Sequence, residues 1–257
     1  MSDLRIDDIF LTQRAPAARM DQLWATGWRH QGTLFFRYSH WPTAGIEHQI
    51  MPVRIDLAKF TPSKSQRRVL RKNEDLRWVI APVEFCDEMH DIFAKHSRRF
   101  SENVPQSLFD FLGHAPASIP CECLMLKVML DSRLIAVSFM DLGEQDVSSS
   151  YAIFDPEYSA RGLGTLTLLR EIEHAKSLGR RYLYHGYATR TASHYDYKKT
   201  FNALEAYDWA ADTWLPRERH LIEPSKKRAQ RQPIDISQKP EWSATDRAES
   251  VSDEPSD

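Results

Sequence analysis

Between Leu124 and His185 the chain sets out an order of elements that few folds accommodate. Two apolar runs, Leu124–Leu130 and Leu134–Leu142, flank Asp131-Ser132-Arg133 and read as an antiparallel hairpin. Val147–Phe154 reads as a third strand. From Gly164 to Lys176, the residues Leu166, Leu169, Ile172 and Ala175 share one side of an amphipathic helix. Tyr182–His185 is strand-like again, ahead of a Tyr-rich segment. Strand pair, strand, glycine turn, helix and strand together predict an α/β fold.

The glycine turn is Ser159-Ala160-Arg161-Gly162-Leu163-Gly164-Thr165. A turn of this kind opens a helix whose free N–H groups and dipole can hold a phosphate or an acyl carbonyl. Its glycines let a ligand approach the backbone closely. The structural alternative is an ordinary helix entry that needs tight packing.

Upstream, Pro16–Trp24 reads as a helix ended by Gly27, and Thr33–Tyr38 as an aromatic strand broken by Trp41–Gly45. Ile50–Leu57 is a second short strand, in which Pro52 suggests an edge or entry position. Pro62–Arg71 starts a helix with Ser63 as its N-cap, and Trp78–Pro82 is a strand. In Glu84–Arg99, the residues Phe85, Met89, Ile92 and Phe93 recur at helical spacing. Beyond about Pro224 the chain loses apolar periodicity and reads as disordered. This predicts a small N-terminal α+β lobe (1–80), a larger lobe (81–222) and a polar tail (223–257).

No run of about 18 apolar residues is present, which argues against a membrane span. Three cysteines, Cys86, Cys121 and Cys123, fit a reducing cytoplasm rather than a disulfide framework. The formal net charge of -2 hides a segregation of charge. Residues 59–77 hold Lys59, Lys64, Arg67, Arg68, Arg71, Lys72 and Arg77 against Glu74 and Asp75, whereas the last stretch is acidic. Screening over about 8–10 Å leaves the basic patch locally intact. Lys64, Arg67, Arg68 and Arg71 fall three or four residues apart, on one side of a helix, where nucleic-acid phosphates would bind. A merely solvated helical face is the plainer reading.

The order of elements around the glycine turn resembles the GNAT-like acyltransferase fold. Three further stretches sharpen the resemblance. Pro62-Ser63-Lys64-Ser65-Gln66-Arg67-Arg68, preceded by Pro52-Val53-Arg54, is similar to a segment of bacterial arginyl-tRNA–protein transferases. Phe154-Asp155-Pro156-Glu157-Tyr158 leads into Leu163-Gly164 and Leu169-Arg170-Glu171-Ile172, again as in that family. Gly186-Tyr187 stands before Tyr197-Lys198 at the family's spacing. The matches run over most of residues 20–215 and include the bacterial leucyl/arginyl type.

The resemblance implies movement of Arg or Leu from aminoacyl-tRNA to the α-amine of an N-terminal Asp or Glu, which forms an N-degron. It implies no metal or coenzyme, because the donor ester is already activated. It also implies roles. Lys64, Arg67, Arg68 and Arg71 would hold tRNA phosphates. Arg161, Gly162 and Gly164 would line the donor end. Asp155, Tyr187, Tyr197 and Lys198 would shape the reacting centre, with His185 relaying a proton. One or two of the tyrosines would stack on the terminal adenosine.

The chain departs from the family in lacking cysteines between Ser39 and Ile50, and in having Ala192 and His194-Tyr195 in the Tyr-rich segment. Rival readings are tRNA-dependent synthesis of small peptides, an acetyl-CoA N-acetyltransferase and a non-catalytic tRNA- or degron-binding protein. Neither Cys121-Glu122-Cys123 nor the set His40, Glu47 and His48 is expected to hold a metal.

Overall fold

The computed structural model describes residues 5–43, 46–100, 106–191 and 194–216. The predicted tail lies outside them. Twelve strands are β1 (Asp7–Leu11), β2 (Arg29–Gln31), β3 (Leu34–Tyr38), β4 (His40–Thr43), β5 (Ile46–Asp56), β6 (Arg77–Pro82), β7 (Cys123–Leu130), β8 (Arg133–Leu142), β9 (Val147–Phe154), β10 (Tyr182–Thr189), β11 (Leu204–Asp208) and β12 (Thr213–Pro216). Helices are α1 (Ala17–Ala25), α2 (Lys64–Lys72), α3 (Asp87–Ser97), α4 (Phe109–Leu112) and α5 (Leu163–Ser177). Two 3-10 segments, Pro156–Arg161 and His194–Thr200, flank the functional region. No helix among the described residues is long and apolar enough to cross a membrane.

A large sheet runs β12-β11-β5-β10-β9-β8-β7-β6, with β4 paired on β5. A small antiparallel sheet, β1-β3-β2, stands beside it. β7, β8 and β9 form an antiparallel meander, then α5 crosses over so that β10 runs parallel to β9. This is the GNAT-like arrangement. Asp131 has φ 53°, the positive value that a two-residue hairpin turn needs.

Both faces of β8 are covered, so its near-continuous apolar sequence is buried throughout. Leu134, Val137 and Phe139 pack with Met89, Ile92 and Phe93 of α3. Met140 joins Leu168, Leu169, Ile172 and Ala175 of α5, together with Ile55 and Leu183. Burial of each such aliphatic side chain stabilises the fold by roughly 1.5–3 kcal/mol.

Three expectations change in the folded chain. Trp41, Pro42 and Thr43 continue as strand β4, because β5 offers an antiparallel partner. Pro52 is not on an edge strand: β5 lies between β10 and β11. The pairing with β11 stops at Val53, and β10 carries a bulge opposite, so the missing N–H falls at a ladder irregularity. Finally, β5 from the first 80 residues is woven into the sheet of residues 81–222, so the sheet is continuous across that division.

Candidate active site

β9 and β10 pair only at Leu183–Val147 and Tyr184–Ser148, and then diverge. Bulges on both strands widen the gap. Ser150 is the extra residue between Met140–Ser149 and Phe139–Tyr151, and His185-Gly186 oppose Val53 alone. The result is a cleft of about 490 Å3, lined among others by Ser149, Tyr151, Phe154, His185, Tyr197 and Lys198. A recess of about 140 Å3 adjoins it, and the two share Arg29, Ser150, Tyr151 and Lys198.

Cations dominate the junction. Arg29, on β2, donates to the Ser148 hydroxyl and, at 2.8 Å, to the Ser149 carbonyl. Lys198, in the second 3-10 segment, donates to the Tyr187 carbonyl at 3.4 Å. Burial and the nearby Arg29 guanidinium push Lys198 down to about 7. His185 is buried, and neither ring nitrogen has a hydrogen-bond partner among the described residues. Burial, together with Lys198 and Arg29, keeps the imidazole neutral.

The N-terminus of α5 forms another wall. Gly162 caps it with φ 71°, a conformation that favours glycine. Gly162 and Gly164 line the cleft. Arg161 does not. Its guanidinium grips Asp75 with two 2.9 Å bonds and braces the turn against the segment after α2.

α2 carries a full capping box, in which Ser63 and Gln66 exchange side-chain and backbone bonds. Lys64, Arg67, Arg68 and Arg71 are all exposed, as the spacing predicts. No described acidic side chain forms an ion pair with any of the four. Lys72 donates to the Ala160 carbonyl at 2.6 Å and Asn73 to that of Arg161 at 3.0 Å. The basic helix is thereby fastened to the turn that opens α5.

Two expected reacting-centre residues have other duties. Asp155 is buried outside the cleft, where it accepts from Lys95 at 2.9 Å, Arg133 at 3.0 Å and the Glu157 amide at 3.0 Å. It ties α3, β8 and the first 3-10 segment together. Tyr187 walls the recess, but its hydroxyl donates to the Gly27 carbonyl at 2.8 Å. Tyr182 and Tyr184 face Arg54 rather than the cleft. Tyr197 remains partly exposed at the cleft, 6.1 Å from the His185 ring. Ala192 lies outside the described residues.

The fold also recruits residues that the sequence did not single out. Arg29 had no local signal. Arg99 faces the cleft with its guanidinium 4.5 Å above the Phe154 ring. Glu171 did carry a signal, as a charged residue one turn from Leu168 and Ala175 on the apolar side of α5. It is buried, with no hydrogen bond of ordinary geometry to either oxygen among the described residues.

Among the described residues, one group has metal-ligand chemistry: His30, Cys121 and Asp141, with ligand atoms within 4.8 Å of one another. His30 Nε2 already pairs with Asp141 Oδ2 at 3.0 Å, and the Ser150 hydroxyl donates to the same oxygen. Burial pushes the Cys121 thiol up, so it stays neutral there. These bonds make the group a polar brace between β2 and β8.

The family described as "Arginine-tRNA-protein transferase, C terminus" matches residues 83–208. The chain is 31% identical over 199 residues to the aspartate/glutamate leucyltransferase of Marinobacter nauticus, covering 74% of this chain and 82% of that protein. It is 32% identical over 195 residues to the enzyme of the same name from Stenotrophomonas maltophilia, covering 71% and 74%. The Nitrosococcus oceani enzyme of that name gives 32% over 197 residues, covering 74% and 79%. A solved structure, L-PGS from Bacillus licheniformis, superposes with a TM-score of 0.43 at 14% identity over 73% of this chain and 54% of that one, too remote to carry an argument. The relatives decide the matter: the chain belongs to the arginyl-tRNA–protein transferase family of aminoacyl-transferring enzymes.

Proposed function

We propose that this protein transfers a leucyl group from leucyl-tRNA to the α-amine of a protein or peptide that begins with Asp or Glu. The observation that supports it most is the placement of Arg29 and Lys198 where the cleft meets the recess. An acceptor carboxylate there would make charge-assisted hydrogen bonds worth roughly 1.5–3 kcal/mol each. A neutral side chain would leave both cations without that partner.

The donor side chain argues for leucine over arginine. Cleft walls from Phe100, Tyr151, Phe154, Leu163 and Leu168 are apolar, and no described carboxylate lines the cleft. Arg29, Arg99 and Lys198 would repel a guanidinium there. The tRNA acceptor stem would lie along Lys64, Arg67, Arg68 and Arg71, with its 3′ end passing the turn at Gly162 and Gly164. Tyr197 would stack on the terminal base. His185, neutral and unpartnered, would donate one N–H to the ester carbonyl as the oxyanion develops. Transfer needs no cofactor, since holding both substrates together supplies most of the rate.

The test uses purified protein, total tRNA charged with radiolabelled leucine or arginine, and peptides beginning with Asp, Glu, Asn or Ala. Leucine should appear on the Asp and Glu peptides. Arginine incorporation would overturn the donor assignment, and equal labelling of the Asn and Ala peptides would overturn the carboxylate assignment. A labelled small product without peptide labelling would move the acceptor to a free amino acid.

A further inference from the structure

Glu171 is 1% exposed, yet both carboxyl oxygens lack hydrogen bonds of ordinary geometry. A buried carboxyl so poorly hydrogen-bonded costs stability, so its presence calls for a reason other than packing. Its position supplies one. Thr167 and Leu168 line the cleft, and Glu171 lies one turn farther along the same side of α5. It therefore sits just behind the cleft floor. The hydroxyls of Ser138 and Ser149 face it, and Ser149 also lines the cleft.

The reaction proposed above has a proton to dispose of. The acceptor arrives as an ammonium ion and must lose a proton before it can attack. The new N–C bond then forms and the ester bond to the ribose oxygen breaks. The amine's second proton passes to that departing oxygen, so each cycle releases one proton overall. Among the described residues at the cleft and its recess, Lys198 and Arg29 are needed as cations for the acceptor carboxylate, and Asp141 is paired with His30.

Resting on that reading, we propose that Glu171 is the proton acceptor of the transfer, reached from the cleft through the Ser149 hydroxyl. Ser149 donates to the carboxylate as it accepts from the ammonium, and Glu171 later releases the proton to solvent. Burial lifts Glu171 to about 7, while the Ser138 and Ser149 hydroxyls and Arg29 oppose that rise and Asp141 adds to it. Tyr197, Lys198, His185, His96, Arg99 and Tyr151 are the remaining titratable groups around the cleft. A base poised near neutrality suits this transfer.

The experiment measures steady-state leucyl transfer to an Asp peptide across neutral pH for the wild type, Glu171→Gln and Ser149→Ala. For Glu171→Gln, kcat should fall about 100-fold. KM for both substrates should hold, and the rise in kcat near neutrality should vanish. The melting temperature should hold or increase, because the buried ionisable carboxyl is gone. Ser149→Ala should show the same lost limb with a smaller fall, and it tests the route even if the Gln variant does not fold. A wild-type rate and pH profile in either variant would overturn the proposal. Wild-type protein that transfers nothing would instead overturn the functional reading on which it rests.

Discussion

A Cβ built on Gly186 would stand 3.0 Å from Lys198 Nζ, and Gly186 itself has φ 87°. The lysine reaches the junction of cleft and recess because the residue it passes has no side chain. Gly186→Ala should therefore displace Lys198 as well as strain the backbone. We expect a loss of about 1–2 kcal/mol in chemical denaturation and a raised KM for acidic peptides. Unchanged kinetics would show that Lys198 can leave this position without consequence.

Lys198→Gln and Arg29→Gln should each lower kcat/KM for Asp peptides by about 10–100-fold, the equivalent of one charge-assisted hydrogen bond. Asn peptides, poor to begin with, should change little. A loss of equal size for both peptides would mean that the cations serve the fold rather than the acceptor.

Lys198 also gives affinity a pH dependence. Pushed down to about 7, it loses its proton as pH rises through that value, so KM for acidic peptides should climb above neutrality. Stability should move the other way. The unfolded lysine keeps its proton to about 10.4, so between these values the unfolded chain binds more protons and stability rises with pH. Lys198→Met should flatten both curves.

Neutralising the exposed face of α2 should act on the donor alone. With Arg68 and Arg71 both changed to Gln, tRNA affinity should drop, and the slope of log affinity against log salt should shrink by about one for each phosphate left without its arginine. KM for the peptide should stay constant. An unaltered salt slope would place the tRNA elsewhere.

Asp155 is expected to matter for stability rather than chemistry. Burial pushes its carboxyl up, but Lys95, the Glu157 amide and Arg133 together hold it below the usual carboxylate range. Its contribution is present above the ordinary carboxylate value and is lost as pH falls through the lowered one. Asp155→Asn should cost about 2 kcal/mol at neutral pH and blunt acid unfolding, with kcat little changed. Tyr187→Phe, which removes the bond to the Gly27 carbonyl, should likewise lower stability by about 1 kcal/mol.

Local patterns carried the fold a long way. The hairpin, the third strand and α5 appear within a residue or two of where periodicity put them, because each buries an apolar face that its own spacing defines. Ser63 caps α2 through bonds within four residues, so the helix start was legible. β4 and β11 were not, since they exist by pairing with β5, a partner distant in sequence or of unforeseen length.

The site divides along the same line. Gly162, Gly164 and the basic face of α2 depend on local conformation, and the order of residues determined them. What only the tertiary structure decided is which side chains meet. Arg29 reaches the cleft from a strand more than a hundred residues from Ser148 and Ser149, while Asp155, set in a motif that looks catalytic, is drawn into a brace by Lys95 and Arg133. Sequence spacing fixes neighbours on one helix or strand. The partners of a buried charge are chosen by desolvation, which requires compensation from whatever charges the packed elements bring within reach.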